Sequence, residues 1–416
     1  MDAARLATDS NGQVSVAPSA LADRPGVPRI LILPPGDLSP SFDPLDGDLA
    51  RSLVTDITLT LCKSHLYEVI APFTARRLAG SPASLTSVPA DYLVRIDLIS
   101  HTSSLPCSLL SIEVVATRSG ECIYRNEVEL RSGMLLDIHY GLCSIVVDRI
   151  CGQIGREEVL QFRRTGAASA YVHYLIAMKR SDRADLVSLL HAQKSLVRSV
   201  QLSPDYVPAL SELARTKTLE WLERGTPDRA LLSEAKHLAE RAHLYEPTDS
   251  ASLREIGHAA LYLHDPGAAL ANYEAAQAFA PNHADLLADQ ADVLTHLSRH
   301  EEAEATISRA LSLNPLAPDD YYWIAGAVSF FRGQYQEALS RLTTMGSPGL
   351  ALRLMAACAA MNSEMEAAAS YRERALARDP FFSVDKWTSL YPEPSQTDTA
   401  HYLHALRLAG FPQSSS

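Results

Sequence analysis

The spacing of hydrophobic residues along this chain changes near residue 165. Before that point, short apolar runs of strand length alternate with segments that repeat an apolar residue every three or four positions. Beyond it only the helical spacing continues, and alanine becomes frequent. Strands have a period of two residues and helices one of about 3.6, so the change predicts two regions of different architecture.

The first region is predicted to be a small mixed α/β domain. The run RILILP is apolar and is closed by prolines, which cannot donate to a strand ladder. Two later apolar runs are separated by the turn-prone letters RSGE and form a predicted hairpin. The predicted strands are 29–34, 65–72, 92–100, 107–117 and 122–130, and the predicted helices are 48–63, 73–80 and 134–154.

Two of these helices carry apolar stripes that predict which side faces the core. Apolar residues three and four positions apart line one face of a helix. The stripe of the first helix is Leu49, Leu53, Ile57 and Leu61, and that of the last helix is Leu135, Ile138, Leu142, Ile145, Val146, Ile150 and Ile154.

The second region repeats a pattern in which a small residue stands five positions before a proline. From Pro247 onward, successive prolines of this pattern are 34, 34, 33 and 32 residues apart. A period of about 34 residues is typical of tetratricopeptide helical hairpins. The pattern spans Ser199 to Pro204, Ala242 to Pro247, Ala276 to Pro281, Ala310 to Pro315 and Ala375 to Pro380, with Pro348 as a variant.

Small residues inside each repeat predict where its two helices approach each other. Gly257, Ala291 and Gly326 follow their prolines by 10, 10 and 11 residues, at the predicted contact of the first helix with the second. Ala269 and Ala303 occupy the matching positions of the second helix. The bulkier Tyr273 and Ile307 are predicted to fill the space between hairpins.

The predicted fold class is therefore a small α+β domain with a mixed sheet, followed by an all-α tetratricopeptide-like solenoid. Residues 1–28 lack periodicity and are interpreted as a flexible leader. The α/β domain is assigned to 29–160 and the hairpin array to 165–381. Residues 382–416 are predicted to form a capping helix and tail that cover the last hairpin.

Composition narrows the classes of function. The formal net charge is −12 at pH 7, which repels phosphate backbones and anionic lipids, so no nucleic-acid or membrane partner is expected. The first residues have no apolar segment of signal-peptide length, and a cytoplasmic location is expected. The cysteines have no zinc-finger spacing and are expected to be buried free thiols: Cys62, Cys107, Cys122, Cys143, Cys151 and Cys358.

The order of these segments resembles a bacterial module. RILILPP, DGDLARSLVTDITLTLCKSHLYEVIAPFTARRLAG, DYLVRIDL and SGECIYRNEVEL, followed by a long helix, are similar to the TolB-like amino-terminal domain. That domain precedes tetratricopeptide arrays in CadC-like transcriptional regulators and class III adenylate cyclases, and HALRLAGFP is similar to the way such arrays close. The resemblance covers about residues 29–412 and implies the sensor or scaffold half of a signalling protein. The 28-residue leader is too short for a winged helix or a cyclase domain, so neither activity is expected of this chain.

Catalytic chemistry has no sequence signature here. Phosphate loops, dinucleotide loops, H-E-x-x-H and G-x-S-x-G motifs are absent from the sequence, so no enzyme activity, cofactor or metal is expected. An acidic run, Asp37, Asp43, Asp46 and Asp48, is interpreted as a solvated loop that caps a helix at Asp48 rather than as a cation site. Surface or packing roles are expected for His237, His243, His258, His264, His283, His296 and His300.

The candidate partner-binding face is the concave side of the solenoid, made by the first helix of each hairpin. Tetratricopeptide proteins that clamp a C-terminal carboxylate use Lys and Asn at these positions. Acidic residues occupy most of them here, which argues against a carboxylate ligand and favours a basic segment with an apolar anchor. The predicted binding residues are Arg254, His258, Asp285, Asp289, Asp292, His296, Asp320, Trp323 and Phe330, and Leu261 is predicted to point the same way.

Three functional hypotheses stay open at this point. The first is a non-enzymatic regulatory or scaffold protein that binds a protein partner in bacterial signalling or transcriptional control. The second is an accessory or sensor part of an adenylate cyclase system, which would show as nucleotide-dependent activity with a separate catalytic chain. The third is an envelope-associated scaffold. The sequence does not identify the partner, the signal or the oligomeric state.

Overall fold

The structure is a computed structural model, and it describes residues 7–8, 14–15, 26–33, 44–70, 89–101, 107–130, 137–167, 169–181, 185–388 and 395–414. The chain divides into two compact units. The first comprises Met1–Ile176 with Arg198–Pro204, and the second comprises Ala177–Val197 with Asp205–Ser416. Boundaries between these two units fall inside two helices and do not coincide with the predicted domain boundaries. The domain limits 29–160 and 165–381 therefore stay predictions.

The first unit contains a five-stranded sheet in the order β4-β3-β5-β6-β7. Strand β3 is parallel to both of its neighbours, β4 and β5, and β5, β6 and β7 form an antiparallel meander with an irregularity between Val114 and Val115. Two further short strands in the leader pair antiparallel. The strands are β1 Ala7–Thr8, β2 Val14–Ser15, β3 Arg29–Leu33, β4 Glu68–Val69, β5 Tyr92–His101, β6 Cys107–Ala116 and β7 Glu121–Leu130.

The predicted strands and two of the three predicted helices of the α/β domain are confirmed. Helix α1 spans Pro44–Lys63 and helix α2 spans Asp137–Thr165, and the two pack against each other. The predicted helix 73–80 lies outside the described residues. The expectation that the first helix begins at Asp48 is wrong, because Asp46 and Asp48 lie within α1; Asp37 and Asp43 lie outside the described residues.

Most of the described residues in the predicted stripes of α1 and α2 are buried, and Leu142 is half-buried. Leu135 and the side chains of Leu49 and Ile138 lie outside the part that the structure describes. Leu53, Ile57 and Leu61 are almost completely buried in α1. In α2 the buried residues include Val146, Ile150 and Ile154, whereas Ile145 is 59% exposed. Adjacent residues of a helix are about 100° apart, so Ile145 falls beside the stripe and not in it.

The second unit contains the helical hairpins, and the expected order of helices is confirmed. Each hairpin of the array pairs a first helix with an antiparallel second helix, and the second helix ends just before a proline of the repeat pattern. The helices from residue 170 onward are α3 Ala170–Ser181, α4 Leu186–Leu202, α5 Val207–Arg224, α6 Ala230–Tyr245, α7 Ser250–Tyr262, α8 Pro266–Phe279, α9 Ala284–His296, α10 His300–Leu313, α11 Asp319–Phe331, α12 Tyr335–Thr343, α13 Leu352–Met361, α14 Met365–Arg378, α15 Val384–Thr388 and α16 Gln396–Leu408.

The small residues of the repeat lie where the two helices of a hairpin meet. A Cβ added at Gly257 would be 3.1 Å from the carbonyl oxygen of Ala269, and one added at Gly326 would be 2.5 Å from Cγ of Leu342. Ala269, Ala303 and Ala291, like Tyr273 and Ile307, have no exposed surface. The predicted register of the array is therefore confirmed by its packing.

The turns inside the hairpins share a left-handed residue that the sequence pattern did not indicate. His264, Ser298, Gly333 and Ser363 each occupy the middle of a three-residue connection and have φ values of 66°, 58°, 74° and 64°. Only one of the four is glycine, the residue for which this conformation has little steric cost. The turns therefore repeat in geometry without repeating in sequence.

The predicted capping helix is α16. It packs on α13, and its residues Tyr402, Ala405 and Leu406 join the buried cluster of the last hairpins. Asp398 near its start accepts a hydrogen bond from Ser298 at 2.5 Å and lies 3.1 Å from Nε2 of His300. The cap thus contacts both the last hairpin and the turn between α9 and α10.

Candidate functional site

The concave side of the array encloses a cavity of about 170 Å³. Its walls come from the first helices of the hairpins, namely α5, α7, α9, α11 and α13, and from the C-terminal helices α15 and α16. Residues of the second helices do not line it within the part of the chain that the structure describes. This is the face on which partner binding was predicted.

The structure brings six of the nine predicted binding residues into this cavity and leaves three outside it. The six lining residues are His258, Asp289, Asp292, His296, Asp320 and Trp323. Arg254 and Asp285 do not line the cavity: Arg254 donates to Asp289, and Asp285 accepts a hydrogen bond from Tyr321. The prediction that Phe330 turns into the groove is wrong. Phe330 is completely buried, stacked on His401 with ring centroids 4.7 Å apart, and Leu261 is likewise a core residue.

Buried ion pairs hold one side of the cavity. Nε of Arg254 donates to Oδ2 of Asp289 at 2.6 Å, and a carboxylate oxygen of Glu255 lies 3.5 Å from Nη1 of Arg215. Burial alone would raise the pKa of Asp289, but Arg254 and, after it, His258 and Arg215 together outweigh it and hold that pKa below its usual range. Asp289 is thus already neutralised within the protein and is not available to pair with a ligand.

Asp292 is in a different electrostatic position. The cation nearest to its carboxylate is His296, whose Nε2 lies 3.7 Å away. Burial lowers the pKa of His296, so this imidazole is mostly neutral near pH 7. Burial also raises the pKa of Asp292, which is the expected result for a carboxylate that loses water without gaining a full counter-charge.

Asp320 completes the acidic wall from α11. Its Oδ1 is buried and has no hydrogen-bond partner among the described residues. Burial, and then the negative charge of Asp289, raise the pKa of Asp320. A buried carboxylate oxygen without a donor is costly, so a cation that enters the cavity would relieve this cost.

Aromatic side chains also line the cavity. The chain contains three tryptophans, and all of them, Trp221, Trp323 and Trp387, line this cavity. The Trp221 ring lies 5.5 Å from that of Tyr262, which also faces the cavity, and Phe331 takes the place that was predicted for Phe330. The predictions missed Trp221, Trp387 and Phe331.

A guanidinium at the far end of the cavity was also missed. Arg353 of α13 lies over the ring of Trp387 at 4.5 Å and over that of Phe382 at 5.0 Å. Burial lowers its pKa. Arg353 has no acidic neighbour in sequence and lies in the irregular last repeat, so the 34-residue register did not place it.

Other candidate sites are less organised. Among the residues that the structure describes, no group of three or more His, Cys, Asp and Glu side chains is arranged to hold a metal ion. Of the cysteines, Cys143 and Cys358 are buried as expected, but Cys62 and Cys122 are exposed free thiols. None of the described helices combines the length and the apolar character needed to cross a bilayer.

Comparison with known proteins identifies no family for this chain. No protein-family model and no curated protein matches the chain. Solved structures that resemble it include a thermophilic tetratricopeptide protein of Thermus thermophilus, with 17% identity over 50% of this chain and 100% of that one and a TM-score of 0.37. A tetratricopeptide repeat protein from Parabacteroides merdae has 16% identity over 57% and 92% of the two chains, with a TM-score of 0.35.

The type IV pilus biogenesis factor PilW is a further similar structure, with 18% identity over 46% of this chain and 90% of that one and a TM-score of 0.35. The tetratricopeptide assignment of the array rests on its own hairpin geometry.

Proposed function

We propose that this chain is a non-enzymatic scaffold that binds a segment of a partner protein in the concave cavity of its array. The segment carries a basic side chain next to an apolar anchor. The observation that supports this most directly is the pairing of two under-neutralised carboxylates, Asp292 and Asp320, with an aromatic wall in one cavity.

The acidic and the aromatic residues of the cavity define the two parts of the ligand. A guanidinium or ammonium placed between Asp292 and Asp320 would form charge-assisted hydrogen bonds, which are about twice as strong as neutral ones. The partly buried Trp323 and the neighbouring Phe331 offer apolar surface to the anchor. Aromatic residues in a central, desolvated pocket are the usual binding hot spots of protein interfaces.

The setting we propose is bacterial signalling or transcriptional control, in the cytoplasm. This part rests on the resemblance of the amino-terminal segments to the TolB-like domain. Accessory function in an adenylate cyclase system is the alternative, and it predicts a change in nucleotide cyclisation when this chain is added to a cyclase. An envelope-associated scaffold predicts instead that cell fractionation recovers the chain with the membrane fraction.

The binding proposal is tested by capturing partners from the native organism and then measuring the affinity of the recovered partner. We expect Trp323→Ala, and separately Asp292→Lys combined with Asp320→Lys, to weaken binding by at least about tenfold, with salt weakening the wild-type complex further. The matched control is Glu274→Lys combined with Glu366→Lys. Both positions are exposed, lie outside the cavity and give the same change in net charge.

Circular dichroism must first show that each variant is folded. A partner whose affinity is unchanged by both cavity variants binds elsewhere, and the proposed site is then wrong. Equal weakening by the cavity pair and the control pair would indicate a general charge effect and would also contradict the proposal.

A further inference from the structure

Arg353 is a partly buried cation with its N–H edge unoccupied. Its Cζ lies 4.5 Å from the centroid of the Trp387 ring and 5.0 Å from that of the Phe382 ring. Stacking engages the plane of a guanidinium but not the five N–H donors at its edge. Within the described residues, no carboxylate oxygen lies within 4 Å of those donors and none of them has a hydrogen-bond acceptor. Buried arginines are normally paired, so this edge is suited to bind an anion.

Arg353 also lines a second, adjoining cavity of about 380 Å³. Two other arginines of that cavity are already neutralised. Arg224 donates to Glu220 at 2.7 Å, and Arg378 donates to Glu223 at 2.5 Å. Arg353 differs from both, because it forms no such pair.

The charged residues of the second cavity that are not yet accounted for determine how much negative charge an anion should carry there. Lys386 and Asp379 line it and have opposite signs, so they balance each other. Arg353 therefore supplies one unit of positive charge in excess. A monoanion neutralises this excess, whereas a phosphate with nearly two negative charges would overshoot it. A carboxylate also matches the fork of a guanidinium with two parallel hydrogen bonds.

We propose that Arg353 binds a carboxylate of the segment that occupies the first cavity, so that the occupant is amphoteric. Its basic group lies at Asp292 and Asp320, its apolar anchor beside Trp323, and its acidic group at Arg353. That the occupant is a protein segment rests on the proposed function. The sequence argument against a carboxylate ligand rested on the acidic residues at the predicted binding positions. Arg353 lies in the last hairpin, outside those positions.

Tryptophan fluorescence tests the carboxylate site without knowledge of the partner. All three tryptophans line the first cavity, and Trp387 stacks on Arg353, so the intrinsic emission reports on this region alone. The probes are hexanoate, the neutral isostere hexanamide, and inorganic phosphate, each titrated into the full chain. We expect saturable binding of hexanoate with a dissociation constant of about 1 mM, and at least about fivefold weaker binding of the other two.

Two substitutions assign the binding to the guanidinium. Arg353→Met should weaken hexanoate binding by at least about tenfold, and Arg353→Lys should weaken it several-fold, because lysine keeps the charge but loses the planar fork. The control is Arg309→Gln, since Arg309 is exposed and donates to the carbonyl oxygen of Pro281 outside both cavities. If Arg353→Met fails to fold, Arg353→Lys decides.

Hexanoate carries no basic group, so its binding tests the carboxylate site independently of the proposed function, and Glu366→Gln, at an exposed position outside both cavities, should leave hexanoate binding unchanged. Equal affinity of hexanoate for the wild type and the Arg353 variants would overturn the proposal. Phosphate or hexanamide binding as tightly as hexanoate would overturn it too. In each case the basic-segment proposal would still be judged by its own charge variants.

Discussion

Replacing Gly326 by alanine adds one methyl group at the closest helix contact of the array. The added Cβ would lie 2.5 Å from Cγ and 2.6 Å from Cδ2 of Leu342. Ordinary carbon–carbon contacts are about 3.5–4.0 Å, so one of the two side chains must move. Leu342 has no exposed surface and belongs to the core cluster of the last hairpins, which leaves it no open space to move into.

Two opposing effects set the size of the change. Alanine is favoured over glycine inside a helix by about 1 kcal/mol. Overpacking a tight core costs about 1–3 kcal/mol. The free energy of unfolding should therefore fall by about 1 kcal/mol, which lowers the melting temperature of a unit of this size by about 2–4 °C. Far-ultraviolet circular dichroism with urea or heat measures both quantities.

A control and a double mutant separate packing from propensity. A Cβ at Gly267 in the first turn of α8 would meet only Oδ1 of Asp265 at 3.7 Å, so Gly267→Ala should leave stability unchanged or raise it. In a Leu342→Ala background the clash is gone, and Gly326→Ala should then stabilise by about 1 kcal/mol. The reasoning is refuted if Gly326→Ala stabilises the wild-type protein, or if its effect is the same in both backgrounds.

Three further predictions concern charge and packing in the array. Arg254→Leu should cost about 3–5 kcal/mol, because it leaves the carboxylate of Asp289 buried without its cation; chemical denaturation measures the loss, and a cost below about 1 kcal/mol would contradict it. Asp292 has a raised pKa in the folded state, so its charge opposes folding above that pKa and has no effect below the unfolded value of about 3.9. Asp292→Asn should therefore stabilise at neutral pH, with a gain that disappears in acid; an equal gain at all pH values would refute this. Ala303→Leu should destabilise by about 1–3 kcal/mol or more, whereas Glu301→Gln, at a side chain that is 81% exposed, should change stability by less than about 1 kcal/mol, and equal melting temperatures would contradict the register.

Much of the fold could be predicted because it depends on local spacing. The strand period in the first unit and the proline period in the second are visible in single segments of sequence. Gly257 and Gly326 were identified as close contacts because a small residue recurs at a nearly fixed distance from the helix-ending proline, with Ala291 at the matching position between them. The left-handed turn residues His264, Ser298 and Ser363 were missed, because the favourable glycine is present at only one of the four equivalent turns.

The cavity could be predicted only where the repeat is regular. Of the four residues predicted on α9, in the best-preserved repeat, Asp289, Asp292 and His296 line the cavity and Asp285 does not. At the end of α11 the same counting chose Phe330 instead of Phe331. Neighbouring residues point about 100° apart, so an error of one position exchanges a core residue for a cavity residue.

The remaining part of the site depends on contacts between residues far apart in the chain. Trp387 of the short helix α15 packs with the cluster around Trp221 of α5, and Arg378 pairs with Glu223, 155 residues earlier. No local period connects these segments. The charge of Arg353 becomes functionally meaningful only when two aromatic rings lie against its guanidinium and no acidic side chain pairs with it. An exposed arginine in the same sequence would hydrogen-bond to water, so it is the three-dimensional environment, and not the residue type, that makes Arg353 a candidate ligand-binding group.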